Sequence, residues 1–417
     1  MSEKRRRVVI TGMGTYNPLG NDAASTWEKV KRGQSGIGPI THFDAAGFRT
    51  RIAGEVKEFD PVALFGRKEA RRMSRVTQLA LAAAAQALAE AKLTGGGGNG
   101  RPIGVIVGSG MGSMAPIVEA AHTVQNRGPQ RVSPFFVPMM LADTPAAMIS
   151  IQYNLTGPNL SVATACATGN DALGQAANLI RRGAVDVMVA GAAEACIIPT
   201  AVAGFGVMKA ISARNEEPAR ASRPFDRERD GFVVSEGAAI LVLEELEHAR
   251  ARGAAIYGEL LGYGASADAY HISMPAADGT GARQAMQAAL DDAGLTPADV
   301  QYVNAHGTST PLNDKAETAA IKALFGEQAY DLPISSTKSM HGHLLGAAGA
   351  LEAILCLKAL ATGILPPTIN YQNPDPACDL DYVPNEARAV DAQIVMSNSF
   401  GLGGHNAVII LGKWDGN

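Results

Sequence analysis

The chain alternates short apolar runs with alanine-rich segments of helical periodicity. In the first half, residues 8–11, 103–107 and 185–190 are typical of buried strands, whereas residues 78–92 and 171–182 predict helices. Strands that alternate with helices predict an α/β fold with largely parallel sheets that helices cover on both faces.

The same alternation starts again after residue 252, which predicts an N-terminal half (1–252) and a C-terminal half (253–417). The halves resemble each other, because Cys166 comes just before a helix in one and residues 334–343 open a helix in the other. We therefore predict an ancient duplication in which Cys166 and His343 face each other across a pseudo-twofold axis.

Three further patterns predict local structure between the main elements. Residues 160–163 are typical of a short buried strand, and residues 139–153 predict one buried helix. Residues 231–234 and 238–243 are both apolar and predict a hairpin.

Composition and charge exclude several functional classes. The 417 residues are 47% hydrophobic and carry a net charge of −4, which gives no argument for nucleic acid or an anionic membrane as partner. No secretory core follows the basic residues 4–7, and no apolar run is expected to span a bilayer. The four cysteines lack CxxC spacing, which argues against a zinc site and a disulfide framework. These features predict a protein of the reducing cytoplasm.

Cys166 is the first candidate for chemistry, since it lies where a strand turns into a helix. Unpaired N–H groups and the helix dipole at that position favour a thiolate. A lone buried cysteine is more often only a small hydrophobic residue, so Cys166 needs support from elsewhere.

That support comes from two histidines in glycine-rich turns. His306 directly follows a strand, at the edge where α/β sheets bind ligands, and His343 stands at the start of a helix. Either histidine alone would suit a structural role. Together with Cys166, and without metal-ligand spacing, they fit a thiol nucleophile with two imidazole partners.

A cluster of cations at residues 67–75 has two interpretations. Five basic residues oppose Glu69 alone over little more than two helical turns. A solvated face is the usual explanation, and a docking patch for an acidic partner is the alternative.

Four motifs in order resemble those of the β-ketoacyl-[acyl carrier protein] synthases, most closely the type II elongating enzymes of bacterial fatty-acid synthesis. They are ThrAlaCysAlaThrGly (164–169), AsnAlaHisGlyThrSerThr (304–310), LysSerMetHisGlyHisLeuLeuGlyAlaAlaGly (338–349) and AsnSerPheGlyLeuGlyGlyHisAsn (398–406). The resemblance covers essentially the whole chain. It implies a thiolase-like five-layered αβαβα fold with two pseudo-symmetric halves, a homodimer, and no required cofactor.

The resemblance also implies a ping-pong Claisen condensation. Cys166 would take the growing acyl chain from acyl carrier protein, and malonyl-acyl carrier protein would then lose CO2 to give the attacking enolate. His306 and His343 would donate hydrogen bonds to the enolate oxygen. Lys338 would keep both imidazoles uncharged, and Glu317 matches the carboxylate partner of that ammonium.

The resemblance assigns supporting roles to further residues. The backbone N–H groups of Cys166 and Leu402 would form the oxyanion hole, and Phe232 and Phe400 would give a dry surface for decarboxylation. The phosphopantetheine arm would meet Thr308, Thr310 and Ser273. Met111 and Phe205 would line the acyl pocket, and Phe136 would lie near the acyl pocket of the other subunit.

The resemblance also implies two further binding sites. Carrier protein would dock on Arg67, Lys68, Arg71, Arg72, Arg131 and Lys209. A structural Na⁺ or K⁺ would lie at Asn304, Glu352, Ser397 and Asn398, where a buried hydrogen-bond network is the alternative.

Some positions depart from the family pattern. Leu402 stands where many relatives have phenylalanine, which affects the gate of the acyl pocket and hence chain-length preference. His341 and His405 stand where threonine is frequent, and we interpret both as neighbours of the site and not as catalysts.

Four other classes of protein are alternatives to an elongating synthase. A polyketide ketosynthase runs the same reaction on other chains and is the main alternative. A degradative thiolase needs a second cysteine as acid/base, and Cys356 and Cys378 lie outside any glycine turn. An initiating synthase uses Cys-His-Asn, and a non-catalytic chain-length subunit lacks the nucleophile.

Overall fold

The computed structural model describes residues 5–93 and 102–416. Residues 95–98, a run of four glycines that predicts a surface loop, lie outside these residues. The strands are β1 (Val8–Tyr16), β2 (Gly38–Pro39), β3 (Ile52–Ala53), β4 (Gly104–Gly108), β5 (Asn159–Leu160), β6 (Val187–Glu194), β7 (Gly237–Glu245), β8 (Gly258–Ala267), β9 (Tyr302–Asn304), β10 (Ile334–Ser335), β11 (Ile364–Leu365), β12 (Arg388–Ala389), β13 (Ile394–Gly401) and β14 (His405–Gly412). The helices are α1 (Ala23–Lys31), α2 (Pro61–Ala70), α3 (Arg75–Glu90), α4 (Met114–Arg127), α5 (Phe136–Met140), α6 (Thr144–Tyr153), α7 (Thr168–Arg181), α8 (Pro199–Val207), α9 (Leu246–Ala251), α10 (Thr280–Ala293), α11 (Pro311–Phe325), α12 (Lys338–His341) and α13 (Ala348–Thr362).

The same strand order occurs twice in the main sheet. One half runs β1-β7-β6-β4-β5 and the other β8-β14-β13-β9-β10, and a short pairing of Val9 with Glu259 and of Ile10 with Gly258 joins them. In each half the first two pairings are antiparallel and the last two are parallel. The sheets are therefore mixed, and the expectation of largely parallel sheets is only half right.

Helices and sheets stack in five layers. Helix α3 packs on the outer face of the first half-sheet and α10 on that of the second, whereas α7 and α13 contact both half-sheets from between them. Side chains of one strand alternate between these cores, since Val105 and Val107 face α3 and Ile106 faces the central helices. The predicted thiolase-like αβαβα fold is confirmed.

Helix α13 is unusually apolar because it fills the middle layer. Together with the turn before it, Leu345–Thr362 has the length and composition to cross a membrane, contrary to the sequence expectation, but 83% of it is buried inside the protein. A core helix between two sheets needs this composition for packing alone.

Three local predictions are wrong. Strand β5 covers only Asn159–Leu160 and is an exposed edge, with Leu160 51% exposed. The expected helix at 139–153 is two helices, because Leu141 is extended and α6 begins at Thr144 with Pro145 in its first turn. The expected hairpin is absent, since the segment before β7 bridges to Ile211 and His343 instead. That change carries Phe232 toward His343.

Candidate active site

Cys166 lies in a tight turn, Ala165–Ala167, that leads directly into α7. Ala165 has a positive φ of 49°, and Thr168 stabilises the turn by accepting from the Thr164 N–H at 2.9 Å and donating to Ala165 O at 2.8 Å. The turn approaches the loop after β13 so closely that a Cβ on Gly401 would lie 3.0 Å from the Cys166 nitrogen. This contact explains why a glycine is needed there.

The three predicted catalytic side chains meet at one point. Ligand-type atoms of Cys166, His306 and His343 all lie within 4.8 Å of one another, and all three residues are buried. The two imidazole ring centres are 5.3 Å apart. Cys166 comes from the N-terminal half and both histidines come from the C-terminal half, so the site forms only where the halves meet.

Both imidazoles are uncharged. Burial lowers the pKa of His306 and of His343 well below the usual value, and the Lys338 ammonium lowers both further. Nδ1 of His306 and both ring nitrogens of His343 have no hydrogen-bond partner among the described residues. Both histidines also line a cavity, from which a substrate can approach the rings.

Burial at Cys166 opposes the thiolate that the helix start favours and favours the thiol as the resting form. Burial raises the pKa of Cys166 to about 11, although the Leu402 backbone N–H and the Lys338 ammonium lower it. Its proton must therefore pass to a neighbouring base when the sulfur reacts, and the uncharged imidazoles are the nearest acceptors.

Lys338 pairs with a different carboxylate from the one expected. Its Nζ lies 2.5 Å from Glu352 Oε1, and both side chains are almost fully buried. Glu317 instead accepts the backbone N–H groups of His306 (2.8 Å) and Gly307 (2.7 Å), and so fixes the histidine turn. The prediction that Glu317 partners Lys338 is wrong, because a short sequence motif does not show which of two nearby carboxylates reaches the ammonium.

A cavity of about 490 Å³ opens onto the side chains of Cys166, His306 and His343. Phe232 and Phe400 flank the histidines, with ring-centre distances of 5.3 Å to His343 and 5.8 Å to His306 respectively. The predicted site residues that line the cavity are Cys166, His306, His343, Phe232, Phe400, Leu402, Phe205, Lys209, Ser273, Thr308 and Thr310. Met111 packs against the same apolar cluster as Cys166 and Phe205.

The four residues of the expected cation site are all fully buried, and one of them, Glu352, is the partner of Lys338. Each has an oxygen without a hydrogen-bond partner among the described residues: Asn304 Oδ1, Glu352 Oε2, Ser397 Oγ and Asn398 Oδ1. Buried oxygens without partners cost free energy unless water or a cation reaches them. This pattern favours an occupant over a closed hydrogen-bond network.

The cations of residues 67–75 lie at a corner between two helices and not on one helix. Helix α2 is kinked at Gly66 and ends at Ala70, and Arg75 begins α3. Arg75 makes a two-pronged ion pair with buried Glu236, so it is structural. Arg67, Lys68, Arg71 and Arg131 are exposed, Arg72 pairs with Glu69, and Phe136 is partly buried on α5.

Neither additional histidine is placed for catalysis. His341 is buried with its Nδ1 2.7 Å from Gly342 O and its Nε2 3.0 Å from Thr337 Oγ1, so both ring nitrogens are occupied. His405 is exposed at the start of β14.

Sequence reasoning missed two residues close to the nucleophile. Cys196 shares the buried cluster of Cys166, but its sulfur lies 3.6 Å from Ser235 O and it does not line the cavity. Glu194 is a fully buried carboxylate at the end of β6. In the sequence, the position of Glu194 just after an apolar strand pattern is the signal that could have identified it.

The fold and site define a thiolase-fold protein with one cysteine and two histidines where its duplicated halves meet. Residues 5–249 match the family described as "Beta-ketoacyl synthase, N-terminal domain", and residues 257–372 match "Beta-ketoacyl synthase, C-terminal domain". The chain belongs to the β-ketoacyl synthase family.

Relatives of known name resemble the chain over its full length. It is 48% identical to "3-oxoacyl-[acyl-carrier-protein] synthase 2" of Synechocystis sp. and 50% identical to the protein of that name from Staphylococcus aureus, with 99% of each chain covered in both cases. A β-ketoacyl synthase from Burkholderia phymatum is 41% identical with a TM-score of 0.91, covering 98% of this chain and 100% of that one. A type II polyketide ketosynthase in complex with its acyl carrier protein is 36% identical with a TM-score of 0.92, covering 99% and 100%.

Proposed function

We propose that this protein elongates fatty acyl chains by decarboxylative Claisen condensation with malonyl-acyl carrier protein. The observation that carries the proposal is the meeting of Cys166, His306 and His343 within 4.8 Å at the base of the cavity. Relatives named 3-oxoacyl-[acyl-carrier-protein] synthase 2 at 48–50% identity support the fatty-acid substrate over the polyketide one.

The first half-reaction forms an acyl-enzyme. Cys166 Sγ attacks the thioester carbonyl of acyl-acyl carrier protein, its proton moves to an imidazole, and the carrier thiol leaves with a proton. The backbone N–H groups of Cys166 and Leu402, which both act on the sulfur, are our candidates for the oxyanion hole.

The second half-reaction forms the new carbon–carbon bond. Malonyl-acyl carrier protein loses CO2, and the electron pair becomes an enolate whose oxygen accepts hydrogen bonds from His306 and His343. The enolate carbon attacks the Cys166 thioester, which releases β-ketoacyl-acyl carrier protein and returns the thiolate to be protonated. Phe232 and Phe400 beside the imidazoles provide the apolar surface that disfavours the malonyl carboxylate.

The test is turnover of acyl-acyl carrier protein with malonyl-acyl carrier protein, with products identified by mass. We expect a β-ketoacyl product two carbons longer and an acyl adduct on Cys166 when malonyl substrate is omitted. Cys166→Ala should give neither. Elongation by that variant would contradict the proposal.

Cys196→Ala is the matched control and also tests the thiolase alternative. Both cysteines are buried in one cluster, but Cys196 does not reach the cavity. We expect elongation to survive this substitution. Its abolition in a folded protein would favour a two-cysteine mechanism.

Carrier protein is the proposed partner, docking on Arg67, Lys68, Arg71, Arg72, Arg131 and Lys209. Exposed arginines and lysines suit an acidic carrier, and one of them, Lys209, lines the cavity. Ser273, Thr308 and Thr310 in the cavity wall suit the polar phosphopantetheine arm. One solved relative is a ketosynthase in complex with its carrier protein, which supports the pairing.

A homodimer is also part of the proposal. Strand β5 is a sheet edge, and Val137, Leu141, Ile151 and Leu160 near it are 42–72% exposed. An apolar edge of this kind suits a second copy of the chain, which would bring Phe136 to the partner's pocket. Light scattering should give twice the chain mass, and Ile151→Lys should lower it. A monomeric parent protein would contradict this.

The reaction as proposed needs no cofactor and takes place in the cytoplasm. Asn304, Glu352, Ser397 and Asn398 would hold a Na⁺ or K⁺ through their oxygens without partners. Because Cys166, His306 and His343 could also bind a metal, activity should be measured after dialysis against a chelator in K⁺ buffer. We expect full activity there, and a lower melting temperature when K⁺ and Na⁺ are replaced by a large organic cation.

A further inference from the structure

Glu194 joins the two halves of the protein directly behind the nucleophile. Its carboxylate accepts the Ser109 hydroxyl and the Gly110 N–H, both at 2.9 Å, and lies 3.3 Å from the Met111 N. It also accepts the Gly346 N–H at 3.1 Å. The first three donors belong to the N-terminal half and the last to the turn that opens α13 in the C-terminal half.

The two loops at this carboxylate are in close contact. A Cβ on Gly346 would lie 2.4 Å from the Gly110 nitrogen, and one on Gly110 would lie 2.9 Å from Ala165 O. Ala165 is the residue before the nucleophile. Any shift of the Glu194 carboxylate would therefore be passed to both loops and to the turn that carries Cys166.

The side chains next to these donors form the apolar wall of the site. Met111 and Leu345 pack in one cluster with Cys166 and Phe205, and Leu345 lines the cavity. Leu345 has a positive φ of 46°, which is strained for a leucine and persists only when neighbouring contacts hold it. The hydrogen bond from the next residue, Gly346, to Glu194 is such a contact.

We infer that Glu194 is a positioning residue that sets the shape of the acyl pocket by fixing Met111 and Leu345 from behind. The inference rests on the proposed elongation function. The four groups that donate to Glu194 are all uncharged. Besides burial, the charge of Glu194 also raises the pKa of the Cys166 thiol, and that effect is the same for every acyl length. A carboxylate can accept at both oxygens, whereas a glutamine must turn an NH2 group toward one pair of donors.

The test compares Glu194→Gln with Glu244→Gln. Glu244 is an equally buried carboxylate on the neighbouring strand β7, and its partners are Thr11, His248 and Arg252, far from the cavity lining. We measure kcat/KM for acyl transfer to Cys166 over short, medium and long acyl-acyl carrier proteins, decarboxylation of malonyl-acyl carrier protein, and melting temperature.

For Glu194→Gln we expect the long-to-short ratio of kcat/KM to change about tenfold, while malonyl decarboxylation changes less than about threefold. Glu244→Gln should lower the melting temperature without altering the ratio. An unchanged ratio in Glu194→Gln would overturn the inference, as would an equal loss for every chain length.

Ser109→Ala is a milder variant that tests the same inference if Glu194→Gln does not fold. Ser109→Ala removes one donor and leaves the other three, so we expect a smaller change of the ratio in the same direction. No change in this variant would then overturn the inference. Failure of the parent enzyme to elongate any acyl chain would instead contradict the proposed function.

Discussion

Lys338 Nζ lies 2.5 Å from Glu352 Oε1 within a fully buried pair, and its charge acts on the imidazoles of both His306 and His343. Burial raises the pKa of Glu352 to about 7 even with this ammonium beside it. The pair therefore places a cation against His306 and His343 without leaving it unpaired, which keeps both rings uncharged and able to serve the substrate.

Lys338→Met should narrow the pH range of activity. Because the Lys338 ammonium lowers the pKa of both imidazoles, its removal lets them protonate at higher pH. We expect the acidic limb of malonyl decarboxylation to move up by about one pH unit and the rate at neutral pH to fall.

The control for this pH shift is Lys322→Met, which removes a surface lysine that pairs with Asp379. It should leave the profile unchanged. An unshifted acidic limb in Lys338→Met would show that burial alone keeps the imidazoles uncharged.

His343→Asn should abolish release of CO2 from malonyl-acyl carrier protein. Both His343 ring nitrogens lack partners among the described residues, and the ring lies 5.3 Å from that of His306. We expect a loss of at least about a hundredfold, since one of the two donors to the enolate oxygen disappears. His341→Thr is the control, because both nitrogens of that ring are already bonded within the protein. Equal losses in the two variants would refute the assignment.

Leu402→Phe should shift chain-length preference and keep activity. Leu402 is 40% exposed at the cavity and contributes its backbone N–H near Cys166, which any side chain preserves. A phenylalanine adds bulk at the gate, so we expect the kcat/KM ratio of long to short acyl chains to change about threefold or more. Leu64→Phe on α2 is the control at an exposed leucine far from the cavity. A profile identical to that of the parent protein would show that Leu402 does not gate the pocket.

Charge reversal at Lys68 and Arg71 should weaken the encounter with carrier protein. Both residues are exposed, and opposite charges mainly accelerate association. We expect kcat/KM for acyl-acyl carrier protein to fall about tenfold at low salt, and the difference to shrink as salt screens the charges. Lys29→Glu on α1 together with Arg32→Glu, directly after α1, makes the same change of charge and should have little effect. Equal effects of the two double variants would favour a solvated face.

The sequence alone predicted that the fold has two similar halves and that Cys166, His306 and His343 share one site. Buried strands and helices leave strong apolar patterns, and the motifs around Cys166, His306 and His343 are short and local. Contacts between distant segments were not predictable in this way. Glu317 and Glu352 are both buried acids in helices of the C-terminal half, and only the folded chain shows which one touches Lys338.

Desolvation was the other quantity that the sequence did not reveal. The start of α7 favours a Cys166 thiolate, but the surrounding apolar cluster raises its pKa to about 11. The bonds of Glu194 were missed for a related reason, since its donors come from segments 84 and 152 residues away. A strand-end carboxylate is visible in the chain, but the loops that converge on it are not.

The repeat of five strands has an evolutionary consequence. The turn Ala165–Ala167 before α7 and the turn Leu345–Ala347 before α13 are equivalent, and each begins with a non-glycine residue of positive φ. An ancestor with two identical copies would have had the same residue in both turns. Today one half supplies a sulfur and the other has Gly346 at the matching place, so the two halves now make different contributions to the same site.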